Sequence, residues 1–318
     1  MNLKKSEILT KTPVVIGLAM ICCLLWGSAF PCVKLGYEWC MVGENAASKI
    51  LFAGVRFTIA GVLAIAFCSL ICGELLVPKS LNTSKHTAVL SLFQTILQYI
   101  FFYIGLSNTT GVKASVIEGT NVFVAIIVTC LIFRMESITV RKIVGCMIGF
   151  AGVVLINSGS GLGGGFMLTG EGFVFISTVA YAFSSIMSKR FSRIDNPLLL
   201  SGWQFLFGGI VMTVFGALMG GHFSLPDMRS VLMLIYLGFV SAAAYSIWSV
   251  LLKYNNVSKI AVFGFMNPVF GVILSALLLD EADSAFSVKG IVSLVLVCVG
   301  IFTVNFSKRK EAAEENVQ

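Results

Sequence analysis

The chain has 318 residues, a formal net charge of +7, 57% hydrophobic residues, only 12% charged residues and a mean hydropathy of +0.95. That is about half the charge of an ordinary soluble domain, which excludes a water-soluble globule. The positive charge does not point to nucleic acid either, because Lys and Arg form no basic stripe and sit in short clusters between apolar runs.

Ten apolar segments follow in chain order, at about residues 13–35, 50–72, 87–106, 112–133, 142–158, 171–189, 198–220, 230–252, 259–279 and 287–306. Each is too long and too continuously apolar for a barrel strand, so each is predicted to be a membrane-spanning helix. The first follows Lys4, Lys5 and Lys11 and continues into "WGSAFPCVKLG" (26–36). It is longer than the apolar region of a signal peptide and reads as a retained span. With the N-terminus in the cytoplasm, 16 Lys and Arg fall on the cytoplasmic side and 5 outside, with Arg56 within a span. This bias predicts a multi-pass protein of the plasma or inner membrane with both termini cytoplasmic.

At the middle of the chain, "INSGSGLGGGF" (156–166) fits G-x-G-x-x-G through Gly159, Gly161 and Gly164. No strand precedes it, no β-α-β unit surrounds it and no G-K-[ST] follows, so the match is accidental. The stretch reads as a glycine-rich outer linker, residues 159–170. It joins five spans in 1–158 to five in 171–306, ahead of a cytoplasmic tail, 307–318, whose "EAAEENVQ" reads as disordered.

The two halves resemble each other. Gly17, Trp26 and Lys34 recur as Gly172, Tyr181 and Lys189, "RFTIAG" (56–61) lies over "QFLFGG" (204–209), and "QYIFFYIGL" (98–106) over "AYSIWSVLL" (244–252). Because five is odd, the second copy enters the membrane from the opposite side. The predicted fold class is therefore all-α integral membrane, with ten transmembrane helices as two inverted five-helix repeats. Such repeats are typical of secondary transporters.

With "AGVRFTIAG" (53–61), "GCMIGFAGVVLIN" (145–157), "LGFVSAAAYSIW" (237–248) and "NPVFGVILSALLLDE" (267–281), nearly the whole chain resembles the drug/metabolite transporter superfamily, in its ten-helix EamA-type branch. The resemblance implies an exporter or exchanger of small metabolites, with helices 1, 3, 4, 6, 8 and 9 around the cavity and helices 5 and 10 peripheral. Two positions depart from the pattern. Phe123 stands where the first half would match Pro268, and Asp280 replaces the usual glycine before Glu281.

Polar groups at membrane depth are expensive, and they mark the candidate site. Glu118 is the one acidic residue well inside a predicted span, with Ser115 and Asn121 three residues away on either side. It is the candidate coupling residue, able to exchange a proton or bind a cation. The alternative is a structural pair with Lys34 or Arg56. Gln94 and Gln98 share a helix face with Ser91, suited to a polar head group or to interhelical hydrogen bonds. Tyr245 and Trp248, with Ser241, recur along helix 8 as cavity lining or core packing. Trp26 is mid-span in helix 1, where an interfacial anchor does not fit. Asn267 and Pro268 interrupt helix 9 about midway, as a hinge or a tolerated kink. Arg56 reads as an anchor that snorkels to the outer surface.

Nine cysteines without a C-x-x-C pair and two histidines, His86 and His222, predict no metal and no cofactor. The expected activity is secondary active transport of small organic metabolites such as amino acids, by alternating access. The expected partners are a small-molecule substrate, the bilayer and protons as the candidate coupling ion, with no nucleic acid and a monomeric or homodimeric state. A non-transporting receptor or structural protein is the alternative. A membrane-embedded enzyme is the weaker one, because the two histidines fall on opposite sides.

Overall fold

The computed structural model describes residues 8–133, 138–157, 166–255, 260 and 262–315. Among them are ten long helical elements and no strand: α1 Thr12–Trp39, α2 Ala46–Cys72, α3 Leu81–Ser107, α4 Gly111–Ile132, α5 Val140–Asn157, α6 Leu168–Phe191, α7 Pro197–Leu218, α8 Met228–Tyr254, α9 Met266–Leu278 and α10 Val288–Glu315. By length and composition, α1 to α4 and α6 to α8 are sufficient to cross a membrane, and α9 and Val288–Val304 of α10 are shorter apolar helices.

Local chemistry sets the helix ends. Asn45, Ser80, Thr110 and Asp227 each accept the backbone N–H three residues on, which caps α2, α3, α4 and α8. Pro197 opens α7, where a missing N–H has no helical partner to lose. Gly73 closes α2 at φ 73°, a conformation that a side chain disfavours.

Three of the helices that carry candidate residues depart from regular geometry. Ser91–Leu97 form a wide π-helical turn inside α3. The chain breaks at Gly119–Thr120, between Gly111–Glu118 and Asn121–Ile127 of α4. A tight 3-10 turn, Val262–Phe265, leads into α9 at Met266. Pro268 is therefore in the first turn of the α-helical part and does not interrupt it midway. At that position its missing N–H breaks no helical bond.

At the C-terminus, α10 continues to Glu315 through the segment expected to be disordered. Glu, Ala and Lys are strong helix formers, and they extend a helix that is already nucleated. The glycines 159, 161, 163 and 164, together with Arg134, Lys259 and residues 316–318, lie outside the described residues.

The connections sort into two ends of the bundle. At one end Gly43 N–H bonds His222 O and Ser224 N–H bonds Cys40 O, so the α1–α2 loop meets the α7–α8 loop. The amide of Asn108 reaches Thr169 O, and Glu281 reaches Lys34, Gly111 and Val112. At the other end Trp203 Nε1 donates to Leu76 O, Thr83 and His86 bond Asp195, and Asn255 bonds Leu9 O. Odd and even connections therefore gather at opposite ends, as they do when each helix crosses the same slab.

The helices pair in a scheme that survives exchange of helix n for helix n+5. The α2–α7 and α5–α10 pairs each join an element to its counterpart. The α1–α8, α1–α9 and α2–α8 contacts are matched by α6–α3, α6–α4 and α7–α3. Residues 51, 54, 58, 61 and 65 of α2 meet 216, 213, 209, 206 and 202 of α7, so these counterparts run antiparallel. Likewise 145, 149 and 152 of α5 meet 304, 300 and 297 of α10. Glycines make both contacts close. A methyl group at Gly61 would stand 2.3 Å from the Leu206 nitrogen, and one at Gly54 2.3 Å from that of Thr213.

Candidate functional site

The interruption in α4 meets the start of α9. A methyl group placed on Gly119, in the α4 break, would lie 3.4 Å from Pro268 Cγ in the first turn of α9. Glu118 ends the helical segment before one break, and Asn267 is the second residue of α9 after the other. Asn267 Oδ1 is buried without a hydrogen-bond partner among the described residues. Deeper in the same contact, Gly271 of α9 packs against Ser115 of α4 and, at Gly27, against α1.

Glu118 has one hydrogen-bond partner among the described residues, the Ser177 hydroxyl of α6 at 3.5 Å. Neither of the basic residues considered for it is available. Lys34 pairs with Glu281 at 3.4 Å. Arg56 binds Tyr103, Ser241 Oγ at 3.1 Å and Leu237 O at 3.0 Å. The expected polar stripe is also divided. The Ser115 hydroxyl bonds Gly111 O at 2.7 Å and is fully buried towards α9, while the break separates Glu118 from Asn121.

The three candidate aromatics do come together. Trp26 of α1 stands edge-on to Tyr245 at 5.5 Å and to Trp248 at 5.1 Å, both on α8. Tyr245 continues to Phe205 of α7 at 4.9 Å, and Phe205 stacks on Phe57 of α2 at 5.5 Å. Gln94 and Gln98 are buried in and just after the wide turn of α3, and Gln98 Oε1 has no partner among the described residues. Among the described residues Gln94, Gln98 and Asn121 make no hydrogen bond to the other candidates.

Arg56 does not snorkel. It is 2% exposed and points inward, with its guanidinium carbon 4.9 Å from the Phe57 ring centre. In the sequence Arg56 lies six residues inside the predicted span 50–72, close enough to its end to snorkel. The sequence does not show that α8 supplies Leu237 O and Ser241 to draw the side chain into the bundle.

Ion pairs invisible to sequence reading close the bundle ends. Lys113 and Glu171 pair at 3.1 Å, and Glu171 also accepts from Thr109 and the Met167 N–H. Glu281 receives the Gly111 and Val112 N–H groups at the α4 N-terminus, where a carboxylate is favoured. At the opposite end Asp195 accepts from Thr83 at 2.7 Å and contacts His86 Nδ1 at 2.6 Å. Burial works to raise the Asp195 carboxyl, but the bonds from His86 and Thr83 outweigh it and hold the group below its ordinary range.

An apolar recess of about 850 Å³ lies elsewhere, between α4 and α5, lined by Ile126, Cys130, Cys146, Met147 and Phe150 among others. It opens on the bundle surface and contains none of the candidate residues.

A family model described as "EamA-like transporter family" matches residues 14–158 and again 168–306. An uncharacterized transporter of Archaeoglobus fulgidus is 28% identical over 285 residues, covering 88% of this chain and 94% of that protein. The uncharacterized inner membrane transporter YedA of Escherichia coli K12 is 26% identical over 288 residues, covering 87% and 88%. A WAT1-related chloroplastic protein of Arabidopsis thaliana is 26% identical over 264 residues, and this chain spans 62% of its length. A solved crystal structure shares the fold at a TM-score of 0.65, with 19% identity, covering 94% of this chain and 99% of that one.

Proposed function

Since the chain belongs to the EamA-like transporter family and is a multi-pass membrane transporter, we propose that it is a secondary active transporter of small organic metabolites, such as amino acids, working by alternating access as an exporter or exchanger. The observation that carries this reading is the meeting of the α4 break with the start of α9, beside Glu118 and Asn267. Discontinuous helices at a repeat interface free backbone groups and polar side chains where a solute can bind.

We divide the chain into two inverted repeats, 1–158 and 171–306, linked by 159–170 and followed by the segment 307–318, with both termini cytoplasmic. The exchange-invariant pairing scheme and the antiparallel α2–α7 and α5–α10 contacts support this division. Trp26, from the first half, and Tyr245 and Trp248, from the second, form the aromatic wall. Gln94, Gln98, Asn121 and Asn267 supply polar contacts, and Pro268 fixes the α9 entry about which the helix swings. Glu118 couples the cycle: it bridges α4 to α6 through one neutral hydroxyl and pairs with no cation among the described residues, so it is able to take up and release a proton. A thermal-shift screen of the purified protein against small metabolites tests the reading. A stabilising solute class whose effect disappears in Trp26→Ala supports it, and a screen in which nothing stabilises the protein counts against it.

A further inference from the structure

We propose that Arg56 is the anion-recognising residue of the transport site and that the solute carries a carboxylate. The inference rests on the transport reading and extends it to a substrate class.

Arg56 is the eleventh residue of α2, about 15 Å along the helix from its start at 1.5 Å per residue, and it is buried inside the bundle. A guanidinium stays charged there. Its three hydrogen-bond partners, Leu237 O, Tyr103 OH and Ser241 Oγ, are all neutral, and no acidic side chain forms a salt bridge with it among the described residues. The Phe57 ring at 4.9 Å and the Tyr103 ring at 5.7 Å stabilise the cation without neutralising it. A buried charge without a counter-charge is costly, and an anion is what removes the cost. Of the five N–H groups of a guanidinium, three are engaged, which leaves two for a carboxylate. A monovalent carboxylate matches the single buried positive charge, whereas a phosphate dianion leaves a net negative charge at membrane depth.

The same residue adjoins the aromatic wall. From Arg56 a file of rings leads through Phe57, Phe205 and Tyr245 to Trp26, each in contact with the next at 4.9 to 5.5 Å. A carboxylate held by Arg56 therefore directs the body of its solute along rings from both halves. Arg56 also ties α2 and α3 of the first half to α8 of the second. An arriving carboxylate competes with Ser241 and Tyr103 for donors, so binding loosens a contact between the halves.

The test compares acids with their amides on the purified full-length protein. Tryptophan fluorescence is titrated with L-phenylalanine, L-leucine and hydrocinnamate and with the three corresponding primary amides. Charge-assisted hydrogen bonds predict that the acids bind at least about tenfold more tightly. Arg56→Gln is expected to reduce that preference to less than about twofold, and Arg56→Lys, which keeps the charge, to retain part of it. Amides that bind the native protein as tightly as their acids, or no binding by any of the acids, overturn the proposal without recourse to the variants. An unchanged preference in a folded Arg56→Gln protein does so as well. Flux is read separately in proteoliposomes. Equal flux of acids and amides removes the anion site and leaves transport standing, while acid-selective binding without flux of any solute removes transport and leaves the anion site.

Discussion

Lys113 Nζ lies 3.1 Å from Glu171 Oε1, and both side chains are almost fully buried, at 7% and 4% exposure. The pair ties the first turn of α4 to the first turn of α6. Removing one partner of a buried pair leaves an uncompensated charge. Glu171→Gln is therefore expected to lower stability by about 3 kcal/mol, and Lys113→Met together with Glu171→Leu to recover most of that loss. Thermal unfolding of the purified variants measures both. A Glu171→Gln protein as stable as the parent contradicts the assignment.

Glu118 makes the opposite prediction. No basic side chain pairs with it among the described residues, so Glu118→Gln is expected to leave the melting temperature within a few degrees of the parent, the shift that about 1 kcal/mol produces in a chain of this size. Proton-driven uptake is expected to collapse, while solute-for-solute exchange persists. Proteoliposomes with and without an imposed pH gradient separate the two. Uptake that still follows the gradient in Glu118→Gln removes the residue from coupling.

At the other end, the Asp195 carboxyl is held below its ordinary range by His86 and Thr83. A carboxyl depressed in the folded state stabilises it fully above the unfolded value of about 3.9, and the gain is lost as pH falls through the folded value. Asp195→Asn is therefore expected to cost about 1–2 kcal/mol at neutral pH, with the gap to the parent closing below about pH 4. A gap that stays constant down to pH 3 contradicts this, and unfolding curves at stepped pH decide.

The overall fold was legible because membrane helices are written in continuous apolar runs, which need no tertiary partner to be recognised. All ten predicted segments overlap helical elements. The members of the aromatic cluster stood out too, since Tyr245 and Trp248 are three residues apart on one helix and Trp26 is out of place at mid-span, but their contact with one another did not. The pairings were not legible. Nothing near Lys34 names Glu281, and nothing near Lys113 names Glu171, because the chain closes those contacts through packing of distant helices. Arg56 was misread for the same reason: an arginine on a span reads as snorkelling until α8 is seen to supply its acceptors. Pro268 was placed mid-helix because apolar periodicity does not distinguish a 3-10 turn from the helix that follows it.

Topology has its own test. Cys72, at the end of α2, is the one cysteine among the nine that is exposed. A thiol reagent that cannot cross membranes is expected to label an introduced Gly163→Cys in intact cells and Cys72 only after permeabilisation. The reverse order places the termini outside.

Movement of a small organic solute through a site walled by Trp26, Tyr245 and Trp248 is read out most directly by counterflow. Proteoliposomes loaded with unlabelled amino acids and small carboxylic acids are diluted into trace labelled solute, and uptake is followed with time. Transient accumulation of label is expected in vesicles holding the parent protein. A loss of about tenfold is expected in Tyr245→Ala and Trp248→Ala at near-normal reconstitution, as fits the removal of one ring from an aromatic cluster. Parent vesicles that accumulate no more label than empty ones would contradict transport through this site, as would full accumulation in both variants.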